Sequence, residues 1–89
     1  MARRTLKIVN EKGLHARASA RFVEVVEQHD ATATVSKDGM SVSGDSIMGL
    51  LMLAASRGSE IEVETSGPDA EKLVAALSEL VANRFGEEM

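Results

Sequence analysis

The chain has no cysteine, no tryptophan, no tyrosine and only one proline, and each absence narrows what it can be. Without cysteine there is no disulfide framework and no thiolate nucleophile, which fits a reducing compartment. Metal binding has little to work with: His15 and His29 are separated by the length of a helix, so no metal or other cofactor is expected. Two phenylalanines are the whole aromatic complement, too few for the stacking platforms that bind single-stranded nucleic acid. Long apolar runs are also missing. The longest, residues 47–55 with Gly49 inside it, is too short to cross a bilayer, and Lys7 interrupts the N-terminal apolar stretch. Neither a membrane span nor a secretory leader is expected, and cytoplasmic residence follows by default.

What is present is unevenly distributed. Residues 1–21 hold Arg3, Arg4, Lys7, Lys12, Arg17 and Arg21 against Glu11 alone, a balance of +5, so the net charge of −4 leaves −9 for residues 22–89. The basic segment surrounds His15 in sequence and suits acidic partner surfaces or phosphates. The acidic remainder argues against a general nucleic-acid binder. With 89 residues and no repeat or linker, the chain reads as one domain, 1–89, able to bury one modest core.

Residues 5–9 set Leu6 and Ile8 against Thr5 and Lys7, the period of a half-buried strand. A loop over 10–13 feeds a helix from 16 to 28 with Ala16, Ala20, Val23 and Val26 on its apolar face, ended by His29-Asp30. Residues 31–36 read as a second strand with Ala33 and Val35 inward and Thr32 and Thr34 outward. Asp38-Gly39 is a hairpin signal, and residues 40–43 return. Asp45 or Ser46 then caps a short helix through Ile47, Leu50, Leu51 and Ala54, with Arg57 and Gly58 as its C-terminal signals. Residues 60–66 alternate Ile61, Val63 and Thr65 with Glu60, Glu62 and Glu64. Gly67-Pro68-Asp69 opens a last helix with Leu73, Ala76, Leu77, Leu80 and Val81 as its buried stripe, Arg84 in its last turn and Gly86 ending it. The order βαββαβα predicts an α+β fold: a four-stranded, largely antiparallel sheet with three helices on one face, because the Thr and Glu faces of the strands are too polar to be covered on both sides.

Within that frame, Gly13-Leu14-His15-Ala16-Arg17 places a histidine at or beside a helix N-cap. The first turn has N–H groups without intrahelical partners and the positive end of the macrodipole, so a phosphate on His15 would be held by the start of the helix at Ala16 and Arg17. Arg17 adds a fork that binds phosphate oxygens bidentately. This is chemistry for accepting a phosphoryl group. Position alone also allows the plainer reading of a capping histidine, which is the reading His29 receives. Ser46 is likewise first a helix cap. Ile47, Met48, Leu51 and Met52 are more apolar side chains than one face of a short helix can bury, which points to a docking patch; Met40, Met48 and Met52 suit such a surface or core gaps better than a cofactor.

Taken together, G-L-H-A-R opening the first helix and G-D-S-I-M-G-L-L opening the second resemble the HPr family of histidine-containing phosphocarriers, over residues 6–85. Residues 51–58, 61–63 and 67–68 look most like its nitrogen-related branch, NPr. The resemblance implies an HPr-like open-faced β-sandwich and a protein of the bacterial phosphotransferase system. It further implies phosphorylation at His15 on Nδ1 by phosphoenolpyruvate-dependent enzyme I, transfer to an EIIA-type acceptor, and Arg17 as the matching active-site arginine. Ser46 matches the serine that an HPr kinase/phosphorylase modifies in some bacteria. Such a carrier, expected as a monomer, is a substrate of its partners more than an enzyme. One departure is Ala18, where the family usually has proline. Rival readings of the same element order are an ACT-like regulatory module, in which His15 is incidental, and a ferredoxin-like RNA binder, for which the Thr and Glu sheet face is ill suited.

Overall fold

The computed structural model describes residues 1–88. Its sheet is assembled on β4 (Glu60–Ser66), whose Ile61, Val63 and Thr65 are buried while Glu60, Glu62 and Ser66 stay exposed. β4 pairs antiparallel with β1 (Ala2–Lys7) on one side and with β2 (Thr32–Lys37) on the other, and β3 (Met40–Ser43) extends the sheet beyond β2, giving the order β1-β4-β2-β3. All pairs are antiparallel. The β2–β3 hairpin closes through Asp38 and Gly39, at φ 50° and 84°, with Lys37 paired to Met40. Two consecutive positive φ angles make the primed turn whose twist matches the flanking strands.

α1 (Ala16–Glu27), the short α2 (Ile47–Met52) and α3 (Ala70–Ala82) cover one side of the sheet and enclose a core centred on Phe22, Leu50, Ile61, Leu73, Leu77 and Phe85, none of them exposed. The other side is polar: Arg3 bridges from β1 to Glu64 and Glu62 on β4. The architecture is the α+β open-faced sandwich that the polar strand faces predict. Among the described residues no helix is long and apolar enough to cross a membrane.

Several boundaries differ from the sequence reading, each for a physical reason. β1 begins at Ala2 rather than residue 5, because β4 offers it a full ladder from Ala2–Thr65 to Lys7–Glu60, and tertiary pairing overrides the poor strand propensity of Arg3 and Arg4. Ile8 continues the contact through reciprocal bonds with Gly58 and Ser59. On α1 the inward face is Ala18, Ser19, Phe22, Val23 and Val26; Ala16 is exposed and Ala20 only half-buried. α2 stops at Met52, since Ala54 turns left-handed at φ 51°, while Arg57 and Gly58 belong to the turn entering β4. α3 starts at Ala70, its Asp69 carboxylate accepting from the Asp30 N–H instead of capping its own helix. Its stripe includes Val74, with Ala76 and Leu80 half-buried, and it ends at Ala82, so Arg84 lies in the following turn.

Candidate functional site

Backbone requirements fix the loop before α1. Gly13 has φ +68°, and a Cβ there would lie 2.5 Å from the Ala55 carbonyl oxygen and 2.9 Å from Ser56 Cα. No other residue combines that dihedral with that closeness. The Leu14 N–H donates to the same Ala55 carbonyl at 2.9 Å, so the loop is clamped to the segment leaving α2.

His15 follows as the N-cap of α1, with extended backbone, and its carbonyl accepts the Ser19 N–H at 2.8 Å. Its ring is part of the cap: Nδ1 accepts from the Arg17 N–H at 3.3 Å. The imidazole is 27% exposed. There is no acidic side chain in the first turn of α1, so the positive end of the dipole is left to be met by an anion from elsewhere.

A carboxylate meets the ring instead. The Glu87 Oε2 contacts His15 Nε2, and its Oε1 accepts from Asn10 Nδ2 at 3.0 Å. The same Asn10 amide donates to the Gly13 carbonyl at 2.8 Å, and Asn10 is wholly buried, its Oδ1 without a partner among the described residues. Burial acts to raise the Glu87 carboxyl, but hydrogen bonds from Asn10 and His15, with the charges of His15 and Lys12, outweigh it and hold the group below the ordinary carboxylate value. Glu87 reaches this place through a turn, Arg84–Gly86, in which Arg84, Phe85 and Gly86 all have positive φ, at 57°, 55° and 81°. Two non-glycine residues there cost about 1–2 kcal/mol each; full burial of Phe85, a contribution of about 1.5–3 kcal/mol, offsets much of it.

His15, Ala16 and Arg17 open on a cleft of about 470 Å3 shared with Glu11, Lys12, Glu87 and Glu88. The cleft therefore mixes two cations with three carboxylates, and the strongly basic setting read from residues 1–21 is dispersed. Arg3 is committed to Glu62 and Glu64, and Arg4 donates to Ser78 on α3 at 3.0 Å. Among the described residues no His, Asp and Glu side chains converge as a metal site would require. His29 caps the other end of α1, its Nδ1–H donating to the Val25 carbonyl at 2.7 Å.

Ser46 stands at the N-cap of α2, its Oγ accepting the Gly49 N–H at 3.0 Å. Beyond it Met48, Met52 and Ile47 are 69%, 65% and 40% exposed, Leu51 is half-buried and Leu50 is wholly buried. The structure thus brings His15, Ala16 and Arg17 together and sets Ser46 with Ile47, Met48 and Met52 on a separate helix, linked to them through the Leu14–Ala55 bond. Sequence reading missed Asn10 and Glu87. Neither lies on a periodic element, and only the fold joins them.

The family model described as "PTS HPr component phosphorylation site" matches residues 2–83. The chain belongs to the HPr family. Membership makes it a phosphocarrier-type protein of the phosphotransferase system, and the ACT-like alternative falls away. Among relatives, the phosphocarrier protein HPr of Cupriavidus necator is 45% identical over 87 residues, 98% of each chain. The phosphocarrier protein NPr of Escherichia coli K12 is 34% identical over 87 residues, 97% of each. The crystal structure of HPr-C-His from Thermoanaerobacter tengcongensis matches at TM-score 0.95 and 37% identity, covering both chains completely.

Proposed function

We propose that the chain takes a phosphoryl group on His15 Nδ1 from phosphoenolpyruvate-dependent enzyme I and passes it to an EIIA-type acceptor, acting in the cytoplasm as a monomeric single domain. The observation that carries this reading is the ring's place in the cap: Nδ1 accepts the first-turn N–H of Arg17, and a cleft opens beside the ring. A phosphoryl group arriving at Nδ1 would gain the helix start and the Arg17 guanidinium as partners for its oxygens. Ser46, already at a helix N-terminus, is the proposed site of regulatory phosphorylation by an HPr kinase/phosphorylase where the organism has one, and Ile47, Met48, Leu51 and Met52 the proposed docking surface for enzyme I.

Incubation with enzyme I and phosphoenolpyruvate should give an acid-labile phosphoryl adduct. His15→Ala should give none while melting cooperatively, since truncating a capping side chain costs about 1–2 kcal/mol and the Glu87 carboxylate, though it loses the ring, keeps its Asn10 donor. Arg17→Glu should fold normally and transfer slowly, because surface substitutions change stability by about 0.5 kcal/mol. An adduct on the His15→Ala protein would remove His15 as the carrier.

A further inference from the structure

We infer that Glu87 is a positioning residue for this transfer: it holds the neutral ring's proton on Nε2, so that Nδ1 enters the reaction unprotonated, and it faces the positive charge the ring acquires when the Nδ1–P bond forms. The inference rests on the phosphocarrier reading and adds to it a residue outside the sequence motif.

Two independent contacts on the imidazole demand the same tautomer. A backbone N–H can only donate, so the Arg17 N–H requires a lone pair on Nδ1. An ionised carboxylate can only accept, so Glu87 requires the proton on Nε2. The carboxylate is itself fixed, because the buried Asn10 amide grips its other oxygen at 3.0 Å and is in turn anchored to the Gly13 carbonyl. The depressed titration of Glu87 agrees with its remaining ionised beside the ring. Phe85, wholly buried two residues earlier, holds the turn that delivers the group.

The consequences follow from the chemistry of the step. The Nδ1 lone pair forms the bond to phosphorus while the bond from phosphorus to the donor's leaving group breaks, its electron pair departing with that group. No proton moves on the His15 side. The ring keeps Nε2–H and becomes a cation, and the Glu87 carboxylate lies on the nitrogen carrying that proton. In the other tautomer Nδ1 would first have to shed a proton, and without the carboxylate the Nε2–H of the charged ring would lose its hydrogen-bond acceptor. Because Glu87 sits on Nε2, its carboxylate lines the cleft without occupying Nδ1, whose partner is the Arg17 N–H.

Glu87→Ala and Glu87→Gln in the full chain separate the two effects, since Gln can still accept from Nε2–H through its amide oxygen but carries no charge. Nitrogen-15 spectra of the neutral ring in the unphosphorylated protein report the tautomer directly. The wild type and Glu87→Gln should show the proton on Nε2, and Glu87→Ala, left with the Arg17 N–H as the constraint, a smaller excess of that tautomer. With phosphorylated enzyme I as donor, the maximal rate of acceptance by Glu87→Ala should fall by about tenfold at an unchanged half-saturating concentration, the size expected for loss of a hydrogen bond to a charged group. Glu87→Gln should fall by less. A wild-type ring divided between tautomers overturns the inference, as does a Glu87→Ala protein that accepts phosphoryl within twofold of wild type. Failure of the wild type itself to be phosphorylated strikes the carrier reading instead, while the spectra still decide the hold on the ring.

Discussion

At the scale of single residues, Glu87 is where opposing forces are resolved most visibly. Its side chain is only 17% exposed, and that burial disfavours a charge, yet donors from Asn10 and His15 hold it below its ordinary value of 4.5. A carboxyl lowered in the folded state contributes stability that is present above its unfolded value and lost as the pH falls through the folded one. The thermal midpoints of wild type and Glu87→Gln should therefore differ fully above pH 4.5 and converge in stronger acid. Scanning calorimetry from neutral pH to about pH 2 checks this; a gap that widens in acid contradicts it. His15 and Ser46 were legible in the sequence because each sits at a helix start, where neighbours three or four positions away define the cap. Asn10 and Glu87 were not, because their partnership is made by tertiary structure across irregular backbone.

At the scale of elements, α2 shows what a short helix does with too many apolar residues. Its period places Leu50 in the core and leaves Met48 and Met52 in solvent, so the helix is a surface as much as a support. Phosphorylation of Ser46 adds about 1.5–2 negative charges at an N-terminus that favours anions. The domain should keep its melting temperature within a few degrees. Enzyme I affinity should nevertheless fall by about tenfold, ~1.4 kcal/mol, because a doubly charged, strongly hydrated group now borders the apolar patch. Calorimetric titration of both forms measures this, and equal affinities would remove α2 from the docking surface. The type and order of the four strands and three helices could be read from hydrophobic period and turn signals, but the 3-10 turn over Arg84–Gly86 could not. Nor could the limits of the elements: β1 gains three residues from the ladder β4 offers, and α2 and α3 stop where Ala54 and Arg84 turn left-handed, which composition does not announce.

At the scale of the molecule, the summed charge of a segment proved a poor guide to the field around His15. Arg3 and Arg4 are satisfied within the fold, and the last turn brings two carboxylates to the cleft, where Lys12 and Arg17 are the cations among the lining residues. The sheet order carries a consequence for how the chain assembles in time. β1 is an edge strand whose one neighbour is β4, with Ala2 opposite Thr65 and Lys7 opposite Glu60, whereas β2 and β3 meet across two residues. The strand synthesised first must wait for one of the last, while the hairpin can close alone, because closing a long loop costs entropy before any contact repays it. Gly39→Ala, forced against φ +84°, should slow refolding, and Leu6→Ala should mainly speed unfolding; stopped-flow denaturant series that found the reverse would place the β1–β4 pairing early, at the barrier itself.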